Sequence, residues 1–194
     1  MNKTMKLVLL VTLALASSLA FSQNTVTAIS GSTNVALSAS FLSALQSLDV
    51  TAGVVYPTVI SSSAIANFPV SSGAIDLDTS LGNIDHQGGL TLSAGKTTVA
   101  IQDFIIDTTG KTPVITGLAI ANGTLVGRIT LFDLAFPKSF SLPIKLTDKE
   151  LIYLTSIGVT LDASAASTLN AEFGTSAFKA GMSIGTACVS ALTK

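Results

Sequence analysis

Tryptophan is missing from this chain, and cysteine, histidine and arginine occur once each, as Cys188, His86 and Arg128. Each scarcity removes a class of chemistry. One cysteine allows no intrachain disulfide, so the fold must be held by its core alone. One histidine and one cysteine, about a hundred residues apart, cannot build a structural zinc site, which draws on several such ligands. Charge is thin as well, at 11% of residues. A helical protein of this size normally carries many more Glu, Lys and Arg, whereas strands accept the Ser and Thr that stand in for them here.

Long apolar runs are equally rare. The one strong example, Leu7 to Leu15, follows Lys3 and Lys6 and leads into the small residues Ala16 to Ser22. It is too short to span a bilayer, which takes about 20 apolar residues, and its layout is that of a secretory signal peptide over residues 1–22. Cleavage is expected between Ser22 and Gln23. The mature chain, 23–194, has the length of one domain and is expected to be exported to the periplasm, cell surface or medium, not embedded as an integral membrane protein. Ten basic residues less Lys3 and Lys6 leave eight against eleven acidic ones, a net charge of −3. Nucleic acid and anionic membranes are poor partners for such a surface.

Glycine turns are abundant where charges are not. Around Gln87-Gly88-Gly89, Ala94-Gly95, Thr109-Gly110 and Asn122-Gly123, residues tolerant of positive φ interrupt segments rich in Val, Ile, Thr and Phe. Strands are expected at 54–60, 66–70, 73–79, 82–86, 90–94, 97–107, 113–121, 124–136, 151–161 and 184–190. Phe41, Leu42, Leu45 and Leu48 instead follow a helical period behind Ser38 or Ser40, which predicts a helix over 39–48. Asp162 precedes a second such stripe, Ala166, Leu169 and Phe173. The expected fold is all-β: an antiparallel sandwich or flattened barrel of about ten strands with two short flanking helices.

Candidate chemistry is sparse. His86 is the sole neutral-pH base, and serine hydrolysis would need it to meet a serine on a sharp exposed turn together with an orienting carboxylate. It is expected at a hairpin tip, facing solvent or hydrogen-bonded in the structure. Asp76, Asp78, Ser80 and Asp85 put calcium-type oxygen ligands close together, but Leu81 stands where a calcium loop needs glycine and no glutamate follows. These acids are expected on the solvated face of a half-buried strand, and no metal site is assigned. Asp103, Asp107, Asp133, Glu150 and Glu172 offer no selected pair for glycoside hydrolysis. Asn122-Gly123-Thr124 matches a glycosylation triplet but is first a tight turn. Cys188, between Ala187 and Val189, is expected to be buried.

The run Phe68-Pro69-Val70, Gly73 and Gly82-Asn83-Ile84-Asp85-His86-Gln87-Gly88-Gly89-Leu90, with the strands that follow, resembles the HtaA-like (haem-transport-associated) domains of secreted bacterial proteins. The resemblance covers about a third of the chain and implies a β-rich fold with haem as cofactor. In that family a tyrosine from an early helix binds the iron and the histidine of the glycine-containing turn supports it. His86 stands at the histidine's place. The tyrosine's place in the early helix holds Ala44 or Leu45, and Tyr56, a few residues on, is the substitute ligand the resemblance suggests; otherwise its ring is expected to pack at a strand edge.

Taken without the resemblance, the residues point to a non-enzymatic extracellular or cell-surface binding or structural module. It would have no cofactor, and a cell-surface or self-association partner.

Overall fold

A computed structural model describes residues 24–194. The proposed signal peptide lies outside them. Eleven strands and two helices follow in the order β1 (Thr25–Leu37), α1 (Ala39–Ser47), β2 (Thr51–Val55), β3 (Val59–Ile60), β4 (Ile65–Asp76), β5 (Gly82–His86), β6 (Gly89–Ala94), β7 (Thr97–Asp107), β8 (Val114–Ala121), β9 (Thr124–Ala135), β10 (Leu151–Leu161), α2 (Ala163–Phe173) and β11 (Ser183–Thr193). The fold is all-β, as the glycine-punctuated pattern requires.

Every pairing is antiparallel. The path β7-β5-β4-β1-β11-β10-β9-β8 returns to β7 and closes an eight-stranded barrel. Closure removes the open edges that would otherwise invite association with another chain. Along β8 the alternation of half-buried and buried residues from Val114 to Ala121 shows the period of two that turns Ile115, Ala119 and Ala121 inward.

The barrel is closed at one end only. Toward the other, β6 takes over from β5 along β7, β2 pairs only with β6, and β9 from Thr124 to Ile129 pairs only with β8. β2, β6, β7, β8 and the start of β9 form an open arm whose inner face the helices cover. Helix α2 lies on β9 and β7, and α1 on β11 and β2. Phe41 and Leu45 of α1 and Ala165, Ala166 and Leu169 of α2 are buried.

Both helix starts behave as read from sequence. Ser38 Oγ accepts the Phe41 amide at 3.1 Å, and Asp162 accepts that of Ser164 at 2.7 Å, satisfying amides with no partner inside the helix. At the β8–β9 turn Asn122 and Gly123 have φ of 51° and 81°, the two positive values a type I′ hairpin needs. The Asn122 Oδ1 accepts the Thr98 amide, which ties the turn to β7.

Several boundaries move. The segment expected as one strand over 54–60 is split by the Tyr56–Pro57 turn into β2 and β3, because proline offers no amide to a ladder. Residues 66–70 and 73–79, expected as two strands, form the single long β4, with the ladder slipping between Val70 and Ser72. Asp78 falls outside β4, where its amide and that of Thr79 bond the Asp76 carboxylate, so this acidic run is a turn with its own internal partners and not a strand face.

Candidate functional site

The sole histidine does not sit at an exposed tip. His86 ends β5 opposite Val70, and only 5% of its surface is exposed. Three irregularities meet at its level. β4 slips between Val70 and Ser72, β5 and β6 are parted by Gln87-Gly88, and β7 slips between Gln102 and Ile105. Bulges of this kind bend a strand and re-aim its side chains.

Each break is tied down. The Gln87 amide donates to the Pro69 carbonyl at 3.0 Å, and the Asp103 amide to the Gly88 carbonyl at 2.9 Å. Asp103 has a φ of 52°, and its own carbonyl accepts from Arg128, the single arginine, at 2.9 Å. Gly88 has a φ of 82°, and a Cβ there would lie 2.4 Å from Thr58 Oγ1 and 2.9 Å from the Val55 carbonyl. Only glycine lets the β2–β3 turn close over the break.

Inside the barrel, His86 Nε2 and Thr33 Oγ1 are 2.7 Å apart, both side chains buried. Thr33 belongs to β1, so the ring reaches past β4 to a strand two places away in the sheet. The other ring nitrogen, Nδ1, is enclosed and meets no partner in good hydrogen-bond geometry, although the Phe104 and Ile84 backbone lies close enough to the ring to favour its charged form. Burial drives the imidazole pKa down to about 4, opposed in decreasing order by the Phe104 and Ile84 backbone and the charge of Asp85. The ring is therefore neutral at pH 7. Thr58 Oγ1, above Gly88, also lacks a partner; among the described residues these are the two buried side-chain polar atoms left unsatisfied. Both flank the same break.

An apolar cavity of about 40 Å³ adjoins the ring, lined by Thr33, Phe68, Leu90, Phe104 and Ile184 among others. Phe68 and Phe104 meet edge to face there, with centroids 5.1 Å apart. No carboxylate lines it.

Tyr56 is 90% exposed. Its ring does not pack at a strand edge, because the turn closing over Gly88 points residue 56 outward while the neighbouring Thr58 is buried. Tyr56 and His86 thus belong to one locality, the turn and the break beneath it, but on opposite sides of the wall. Of the twelve large apolar side chains exposed among the described residues, four fall between Val54 and Ile65. Ala44 is half-buried and Leu45 is 3% exposed, so α1 presents no ligand at either position.

Other candidates separate. Among the described residues no three His, Cys, Asp or Glu side chains converge as a metal site. Asp133 is held above the usual carboxylate range by burial and by the charge of Asp162, but Asp162 is committed to capping α2. Cys188 is half-buried, less enclosed than its apolar neighbours suggest. Thr33 and Thr58 had no sequence signal: each is one threonine among many, marked only by the tertiary neighbours it meets.

No protein-family model matches the chain, and no curated protein does. The fold is shared with solved structures. The C-terminal domain of HtaA from Corynebacterium glutamicum superposes with a TM-score of 0.65 at 17% identity, over 87% of this chain and 99% of that one. The heme-binding protein HtaB from the same organism gives 0.54 at 14%, over 88% and 95%. A domain-swapped dimer of a variant of the HtaA C-terminal domain gives 0.55 at 17%, over 79% and 91%. The resemblance read from the Gly82–Leu90 run therefore extends to the architecture of nearly the whole described chain.

Proposed function

We propose that this chain is an exported, non-enzymatic binding domain that captures a small ligand where the Val55–Thr58 turn closes over the break after His86, with haem the ligand to test first. One observation carries the reading: a buried, neutral imidazole with an unpartnered nitrogen lies beneath a turn that bears a wholly exposed tyrosine and an apolar rim. A buried polar atom without a partner is costly in a structural histidine and ordinary in a binding site. The heme-binding protein HtaB has the same architecture, which supports the same choice.

The residues fit a porphyrin outside the barrel and not inside it. A cavity of about 40 Å³ is far too small for the macrocycle. On the outer face, Tyr56 supplies a phenolate of the kind that can hold haem iron, and Val54 and Val59, 45% and 58% exposed, supply apolar contact. His86 stays below, fixed by Thr33, and supports the turn without reaching the iron.

The test is a haemin titration of the mature protein read in the Soret band. A saturable shift is expected that Tyr56→Phe abolishes and His86→Ala weakens. No shift, or an unchanged titration in Tyr56→Phe, would remove haem at this turn. Self-association is the partner reading we retain, supported by the domain-swapped neighbour, and sedimentation at several protein concentrations tests it.

A further inference from the structure

The ladder between β9 and β10 runs only from Gly158 to Leu161, against Ala135 to Phe132. Before Gly158, among the described residues, β10 keeps β11 as its one strand neighbour, and that ladder slips between Leu154 and Ile157, where Ser156 has a φ of 60°. β9 ends at Ala135, and the turn that follows it faces this bulged stretch across a cleft. The turn is pinned by the Phe140 amide, which donates to the Pro137 carbonyl at 2.9 Å. Phe136 and Phe140 stack there, with centroids 4.3 Å apart and planes 14° from parallel. The cleft holds about 170 Å³, several times the volume of the apolar cavities inside the barrel, about 30 and 40 Å³.

We propose that this cleft binds a small neutral aromatic molecule, a single six-membered ring bearing a hydroxyl or similar polar group, with the ring against Phe136 and Phe140 and the polar group at the mouth. Phe136, Leu154 and Ile157 line both the cleft and the core cavity around Ile152, which makes them its floor. Ser139, Tyr153 and Thr155, all exposed, stand at the mouth. The volume sets the size, since an apolar cavity of about 150 Å³ takes up benzene. A porphyrin is far too large. The stacked pair sets the ring chemistry, because a third aromatic ring can join it by face or by edge. The lining sets the charge. Among the described residues no charged side chain lines the cleft, Lys138 of the same turn included, so an ionised ligand would be desolvated without a counter-charge. The Tyr153 hydroxyl lies against the Cys188 thiol of β11, so Tyr153 contributes its ring, and the hydroxyls of Ser139 and Thr155 are left for the polar group.

The cleft shares no residue with the Val55–Thr58 turn, so it stands or falls apart from the haem reading. The experiment is an NMR titration of the mature protein with p-cresol, read at the methyl groups of Leu154, Thr155 and Ile157 and at the ring of Tyr153, one of two tyrosines in a chain without tryptophan. Saturable shifts confined to these groups are expected. The ionised analogues 4-methylbenzoate and 4-methylbenzylammonium, and methyl glucoside as a polar ring without aromatic character, should bind about tenfold more weakly or less. Thr155→Trp, on an exposed bulge, should fill the mouth and abolish binding while the chain stays folded. Phe140→Leu keeps an apolar side chain in the turn and should cost p-cresol about fivefold while sparing 4-methylcyclohexanol. A merely loosened turn would weaken both alike. Thr155→Val combined with Ser139→Ala should erase the preference for p-cresol over toluene. The absence of a saturable shift, shifts scattered over the surface, equal binding of the glucoside or the ionised analogues, indifference to Thr155→Trp, equal losses of both ring compounds in Phe140→Leu, or an undiminished preference in the double variant would each overturn the proposal.

Discussion

The two ends of this barrel are built on different terms. At the closed end, strand pairs with strand around the full circumference, and the core of Ile75, Ile84, Ile106 and Ile152 is enclosed by backbone ladders. At the other end β2 and the start of β9 have no outer neighbour, and two short helices of nine and eleven residues supply the missing cover. Helices that short have little stability of their own and hold only through their packed faces. Enclosure by ladders is thus cooperative with the global fold, whereas enclosure by helices can open locally. His86 sits at the boundary, where β4 and β7 slip and β5 gives way to β6, and an apolar cavity adjoins it.

The sharpest way to break this comparison is a pair of cavity substitutions. Ile152 is fully enclosed at the closed end, and Ile152→Ala is expected to cost about 4 kcal/mol in denaturant unfolding. Leu169 is on the buried face of α2, which can settle inward, and Leu169→Ala should cost about 2 kcal/mol. Equal costs would mean that the helices are as rigid a wall as the ladders.

Acid acts at the boundary between the two ends. The folded pKa of His86, about 4, lies below the ordinary 6.5, so between those values the unfolded chain binds the proton that the folded one refuses. Stability attributable to this group is therefore complete above pH 6.5, falls as the pH drops toward 4, and amounts to about 3 kcal/mol. Guanidinium midpoints at pH 7, 5.5 and 4 should show the decline, and His86→Leu should flatten it over this window. Below it, protonation of Asp76 and Asp107, both held low by threonine donors, removes further stability. A wild-type midpoint constant from pH 7 to 4 would contradict the buried neutral imidazole.

The smallest expected effect concerns the caps. Asp162→Ala and Ser38→Ala should each cost about 1 kcal/mol, and hydrogen exchange should place the loss in the helices and the strands beneath them. Exchange that quickens uniformly, the closed end included, would erase the distinction between the ends.

Much of the architecture can be read one residue at a time, because it rests on local rules. Asn122-Gly123 demands a hairpin wherever it falls between strands, and Ser38 and Asp162 announce helices by what their side chains do three or fewer residues downstream. The site obeys no such rule. His86 next to Gln87-Gly88 looks the same in sequence whether the ring points to water or to the core. Its burial depends on slips in β4 and β7, contributed by segments far along the chain, and its fixed orientation on Thr33, fifty-three residues away. Tyr56 errs in the opposite sense: an aromatic beside proline reads as packing material, and only the approach of the turn to Gly88 leaves it facing outward.

The order of amino acids alone determined an all-β chain with two capped helices, since turn geometry, strand alternation and capping act over a few residues. Which strands close the barrel and which side of its wall the imidazole occupies were decided only in three dimensions. Those features are sums over contacts between segments that share no local signal, and burial, the force behind each of them, exists only once the segments have come together.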